Sequence, residues 1–129
     1  MIIDTSAVAA ILLDEPDMAR FAELIAGADC RLMSTAAVPE LTMVIEARLG
    51  AQGVEDVDRF IEEAAITLIP FDAVQLAMAR EAWRRFGKGR RHPAKLNFGD
   101  CIAYALSKTS GLPLLFKGDD FARTDVIPA

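Results

Sequence analysis

Any chemistry in this chain falls to its carboxylates. His92 is the only histidine, sits in a basic, proline-containing stretch, and cannot by itself build a zinc site. It could in principle serve a Ser/His/Asp triad, but its surroundings suit a surface residue better. Cys30 and Cys101 are far apart and match no metal-ligand spacing, so both read as buried, reduced thiols. Among the acids, Asp4 follows the apolar Met1-Ile2-Ile3, Glu40 lies in Ala36-Ala37-Val38-Pro39-Glu40-Leu41, and Asp100 leads into Cys101-Ile102-Ala103. Asp119 comes three residues after Phe116. Ionised carboxylates in apolar surroundings need a compensating cation, and no lysine or arginine lies within three residues of Asp4, Glu40 or Asp100. Hard oxygen ligands gathered in one place suit Mg2+ or Mn2+, which keep several waters and bind substrate phosphate. Such an ion generates hydroxide from water and neutralises charge on a phosphate under attack. Each acid also has a plainer reading. Asp4 could cap the next helix, and Glu40 and Asp100 could complement positive helix ends for ~0.3–1 kcal/mol each. Singly, those readings are at least as good as catalysis; one shared site accounts for all four together.

The elements that must position these acids follow from apolar spacing and from breakers. Met1 to Ile3 reads as a very short strand, with Thr5 or Ser6 capping a helix over the apolar run Ala7 to Leu13. Asp14-Glu15-Pro16-Asp17 breaks it, and Met18, Phe21, Leu24 and Ile25 recur at helical spacing up to Gly27. Cys30 to Met33 reads as a buried strand, and Ser34-Thr35 as the cap of a helix that tolerates Pro39 near its start and ends at Gly50. A helix over Asp56 to Ala65, a strand over Thr67 to Ile69 and a helix from Ala73 to Phe86 come next. Gly87 to Leu96 reads as a loop, Gly99-Asp100 opens a well-buried helix that Gly111 stops, and Leu112 to Phe116 is a buried strand. Gly118 to Phe121 turns into a short helix, and Val126-Ile127 could add a last edge strand. Short apolar strands alternating with longer helices predict one α/β domain over residues 1–129, a mainly parallel sheet with helices on both faces. Ligands of such folds bind beyond the carboxyl ends of the strands, where Asp4 and Asp119 would both lie.

The net charge of −5 is unevenly spread. Seven of the 14 basic residues fall between positions 80 and 95, against Glu81 alone, so that segment carries +6 and the remainder −11. Such a patch is either a solvated helix end and loop or a phosphate-attracting surface on an otherwise acidic molecule. No run approaches the ~20 apolar residues of a membrane helix, and the first residues lack a signal-peptide pattern, so a cytoplasmic protein is expected.

Four motifs, in order along nearly the whole chain, resemble the PIN-domain ribonucleases, and within them the VapC-type toxins of bacterial toxin-antitoxin pairs. They are Met1-Ile2-Ile3-Asp4-Thr5-Ser6-Ala7, Ser34-Thr35 through Glu40 to Ile45-Glu46-Ala47-Arg48, Leu96-Asn97-Phe98-Gly99-Asp100-Cys101, and Leu114-Leu115-Phe116-Lys117-Gly118-Asp119-Asp120-Phe121. The resemblance implies a three-layer α/β/α fold, Mg2+- or Mn2+-dependent cleavage of RNA phosphodiesters, and a VapB-like antitoxin partner. It places Asp4, Glu40 and Asp100 at the acidic ligand positions and Asp119 at the fourth, most variable one, with Asp120 adjacent as its competitor. Asp4 and Asp100 would be the main metal anchors. Thr5 or Ser6 would hydrogen-bond a carboxylate or a metal-bound water, and Asn97 would orient water or substrate. Arg85, Lys88, Arg90 and Arg91 would hold flanking RNA phosphates.

Three other readings compete. A haloacid-dehalogenase-like phosphatase expects a second aspartate where Ser6 stands, and a receiver domain expects an early acidic pair that is missing. A PIN-like module that binds RNA or protein without cutting expects the loss of one or more acids, whereas all four are present. The apolar excess, including Met18, Leu24 and Ile25, also fits a homodimer or an antitoxin-binding groove.

Overall fold

A computed structural model describes residues 1–129. The order of elements is β1 (Ile2–Ile3), α1 (Thr5–Leu12), α2 (Met18–Ala26), β2 (Leu32–Ser34), α3 (Val38–Leu49), α4 (Gln52–Glu63), β3 (Thr67–Ile69), α5 (Ala73–Phe86), α6 (Phe98–Ser110) and β4 (Leu114–Leu115), with a 3-10 turn at Phe121–Arg123. The strands form one parallel sheet in the order β3-β2-β1-β4, with Ile2 opposite both Leu32 and Leu114. Successive residues of a strand face opposite sides. Ile3 therefore enters a core with Ala7, Val8, Phe21, Leu41, Ile45 and Val57 from α1 to α4, while Ile2 enters a second core with Phe86 of α5 and Tyr104 and Leu106 of α6. Helices thus cover both faces, and the expected three-layer α/β/α architecture is what the chain adopts. No helix is long and apolar enough to cross a membrane.

The chain leaves β1 toward β2 and β3, then returns to lay β4 on the other side of β1. The strand order reverses there, and the carboxyl ends of β1 and β4 open a crevice. Helix ends are cut sharply. Gly50 and Gly111 stop α3 and α6 at φ of 72° and 69°, a left-handed turn that glycine makes without a Cβ clash.

Several boundaries differ from the sequence expectation. The second strand begins at Leu32, not Cys30; just before it, the Arg31 guanidinium bonds the carbonyls of Ile25, Ala26, Ala28 and Ala64. Cys30 is consequently exposed, its carbonyl accepting from the N-terminal ammonium at 2.6 Å, whereas Cys101 is buried as expected. Ser34 and Thr35 do not cap α3. Their hydroxyls accept from the backbone N–H groups of Ala36 and Phe71, and the helix starts at Val38 with Pro39 in its first turn. Helix α4 starts at Gln52, four residues early, because Gly53 lets it close against α3: a Cβ there would lie 3.0 Å from the Ile45 carbonyl oxygen. The last strand reduces to a single bridge between Leu114 and Pro128. Ile25 is buried and Leu24 packs on the same core, so these early-helix residues serve the interior.

Candidate active site

Asp4 ends β1 and caps α1 in one act. Its extended backbone donates to the Leu115 carbonyl at 2.9 Å, and its Oδ2 accepts from Ser6 N at 3.0 Å and Ser6 Oγ at 2.5 Å. The cap is therefore Asp4 itself, and Thr5 and Ser6 open the helix. Of the two hydroxyls, Ser6 is the one bonded to the carboxylate. Ser6 Oγ also accepts from Lys117 N at 2.9 Å, tying β1 to the turn that carries Asp119 and Asp120. The Lys117 ammonium pins that turn further by pairing with Glu15. Burial raises the Asp4 carboxyl above its ordinary value, outweighing the bonds from Ser6.

Glu40 stands in the first turn of α3 and leans onto the first turn of α6. The fit is so close that a Cβ on Gly99 would lie 2.0 Å from Glu40 Oε2. Glycine at 99 is what makes room for the carboxylate beside Asp100. Burial, and then the charge of Asp4, raise Glu40 above its ordinary value.

Asp100 is held by a reciprocal cap at the start of α6. Asn97 Oδ1 accepts from Asp100 N at 2.9 Å, and Asp100 Oδ2 accepts from Asn97 N at 2.7 Å. Burial pushes Asp100 up to about 6 against the bond from Asn97, with the charges of Asp4, Asp120 and Glu40 adding to it. Asp4, Glu40 and Asp120 thus act on one carboxylate. In the adjacent pair, the charge of Asp120 is among those that raise Asp100.

None of these acids has a lysine or arginine at ion-pair distance. An all-oxygen donor set, largely withdrawn from water and mutually repelling, fits a small hard divalent cation. No three of the carboxylates stand at the separation of a shared ion.

The basic segment divides. Arg85 is committed elsewhere: it reaches Asp125 at 3.1 Å and Tyr104 Oη at 3.4 Å, and stacks on Phe86 with 4.4 Å to the ring centroid. Arg85, expected among the phosphate ligands, thereby anchors the C-terminal segment. Lys88, Arg90 and Arg91 are exposed on a loop whose base is fixed by Lys88 N to Leu96 O at 2.8 Å and Leu96 N to Phe86 O at 2.9 Å. His92 is half-buried, with its ring edge-on to Phe86 at 4.8 Å, and so packs instead of lying free on the surface. An open groove between α5 and α6, lined by Trp83, Phe98, Arg80 and Asn97 among others, adjoins the acids. Sequence reading missed Trp83, Phe98 and Gly99. The available signal was Phe98 and Gly99 standing between Asn97 and Asp100 inside one motif.

The fold has a counterpart among known families. The chain belongs to the PIN-domain family, whose model matches residues 1–127. Within that family it belongs with the VapC ribonucleases. It is 51% identical over 126 residues to Ribonuclease VapC30 of Mycobacterium tuberculosis, covering 98% of this chain and 95% of that protein. It is equally identical to Ribonuclease VapC of Mycolicibacterium smegmatis, at 98% and 97% coverage. Among solved structures, Mycobacterium tuberculosis VapC20, described as a sarcin-ricin loop cleaving toxin, superposes with a TM-score of 0.81 at 17% identity, covering 99% of this chain and 97% of that one. VapBC2 from Rickettsia felis, solved with a promoter DNA fragment, gives 0.72 at 17% identity, covering 99% and 96%. At those identities the likeness is one of fold.

Proposed function

We propose that this chain is a metal-dependent ribonuclease and the toxin of a VapBC-type pair, neutralised by a VapB-like antitoxin. The observation that carries the metal site is the convergence of Asp4, Glu40 and Asp100 at the β1–β4 crevice, all raised above their ordinary values and none paired with a cationic side chain. The VapC relatives supply the RNA substrate and the toxin role, and the complexes among the fold neighbours supply the antitoxin.

Asp4 and Asp100 would hold Mg2+ or Mn2+ directly, with Glu40 and a fourth acid from the turn after β4 completing the set. Asp119 and Asp120 compete for that last place, and the charge of Asp120 bears on Asp100. When bound, the ion supplies hydroxide at neutral pH and offsets charge on the attacked phosphate. The chain's own groups prepare this. Ser6 fixes the Asp4 carboxylate and Asn97 fixes Asp100, and one of the carboxylates would accept the proton released by the attacking water. Lys88, Arg90 and Arg91 hold the phosphates on either side of the cut.

The test is cleavage of a mixed RNA pool with Mg2+, with Mn2+ and with EDTA, comparing the wild type with Asp4→Asn and Asp100→Asn. Cutting is expected only with metal and only by the wild type. Metal-independent cutting, or full activity in both variants, overturns the proposal.

A further inference from the structure

The aromatic side chains of the groove beside the carboxylates have no part in the hydrolytic scheme above, yet they are unusual for a surface that merely faces water. The groove lies between α5 and α6, encloses about 770 Å3, and is floored by Leu76, Trp83 and Phe98. Phe98 is 80% exposed and Trp83 40%. A phenylalanine so exposed adds little to folding, since most of its surface stays in water. It stands between Asn97, which holds Asp100, and Gly99, which receives Glu40, so its ring is tied to the acids by the first turn of one helix.

Arg80, Lys88 and Arg90 line the same groove, and no acidic residue does. Arg84, also on its edge, is paired with Glu81, whereas Arg80, Lys88 and Arg90 have no carboxylate at ion-pair distance. Aromatic faces interleaved with unpaired cations are the combination that binds single-stranded nucleic acid, bases stacking on rings while the backbone follows the charges. A paired duplex keeps its base faces covered and cannot use the rings.

We infer that the groove seats an unpaired base of the RNA, stacked against Phe98 and Trp83, with the neighbouring phosphates held by Arg80, Lys88 and Arg90. The assignment rests on the nuclease reading for RNA as the substrate, but its test does not.

Trp83 is the only tryptophan, so its emission reports on the groove alone. In EDTA, the chain is titrated with a short mixed-sequence oligoribonucleotide, and with the same strand annealed to its complement. The single strand is expected to quench Trp83 and to bind about tenfold tighter than the duplex. Phe98→Ala, on an exposed side chain, is expected to weaken single-strand binding about tenfold, with Phe98→Tyr restoring it. Arg90→Ala is expected to flatten the salt dependence. Equal affinity for strand and duplex overturns the inference, as does wild-type RNA binding by Phe98→Ala. If Phe98→Ala instead converts a dimer to a monomer in sedimentation and leaves RNA binding unchanged, the face belongs to a second copy and the inference fails. A chain that binds the strand in this way yet never cuts when Mg2+ or Mn2+ is added overturns the nuclease reading and leaves the groove standing. One that cuts, with an unchanged KM in Phe98→Ala, does the reverse.

Discussion

Gly99 decides where the Glu40 carboxylate rests. A Cβ at 99 would meet Glu40 Oε2 at 2.0 Å, but the obstructing atoms are the far end of a flexible side chain, which can swing away. Gly99→Ala is therefore expected to cost the fold no more than about 1 kcal/mol. Moving a reacting group by about 1 Å can cost on the order of 100-fold in rate. A fall in kcat of about 10- to 100-fold with a nearly unchanged urea midpoint is the expected outcome. Wild-type kcat in that variant would remove Glu40 from the reaction. At this scale the sequence is informative about acids and poor about partners. Asp4, Glu40 and Asp100 stand out because each interrupts an apolar stretch without a basic neighbour. The choice between Asp119 and Asp120 does not, because a turn has no periodicity to say which side chain faces inward. Arg85 reads as one more cation in a basic run, since Asp125, which claims it, lies 40 residues further on.

Helices and strands are legible where apolar spacing is strong, and blurred where side chains compete for the ends. Helices α5 and α6 follow their apolar pattern closely, while β2 begins only at Leu32, after Arg31, whose side chain bonds carbonyls at the end of α2 and in the loop that follows it. The turn from α4 to β3 holds a feature that no pattern announces: Ala65 sits at a φ of 50° with its side chain exposed. A left-handed conformation costs an L-residue ~1–2 kcal/mol, partly offset in glycine by the greater freedom it loses on folding. Ala65→Gly is accordingly expected to stabilise the protein by about 0.5–1 kcal/mol in urea denaturation, with the slope unchanged. A destabilised variant would show that the alanine methyl makes a contact worth more than the strain. The substitution lies away from the acid crevice, so cleavage activity should stay at the wild-type level.

For the molecule as a whole, folding gathers carboxylates that repel one another, and this reverses the usual sign of acid stability. Asp100 is raised from 3.8 to about 6 by burial and by the charges of Asp4, Asp120 and Glu40, and Asp4 and Glu40 are raised with it. Between those two values the folded state holds a proton that the unfolded chain has released. Without metal, stability is therefore highest near the unfolded value and falls as pH rises through about 6. Asp125 works in the opposite sense. Burial would raise it, but the Tyr104 hydroxyl and the Arg85 and Lys108 charges hold it below its ordinary value, so its contribution is lost only as pH falls below 3.8. The two windows lie on either side of 3.8, and melting measured in EDTA between about pH 4 and pH 7 reads the crevice. The melting temperature is expected to decline across that interval in the wild type and to decline less in Asp100→Asn, which carries no charge there. A divalent ion that binds the folded state alone adds stability in proportion to its occupancy. Mg2+ or Mn2+ should thus recover most of the loss at pH 7 and little at pH 4.5, where protons already occupy the site. A metal-free protein whose stability rises steadily from pH 4 to pH 7, with no response to either ion, would mean that the acids are relieved by solvent and that the crevice is not built around a cation.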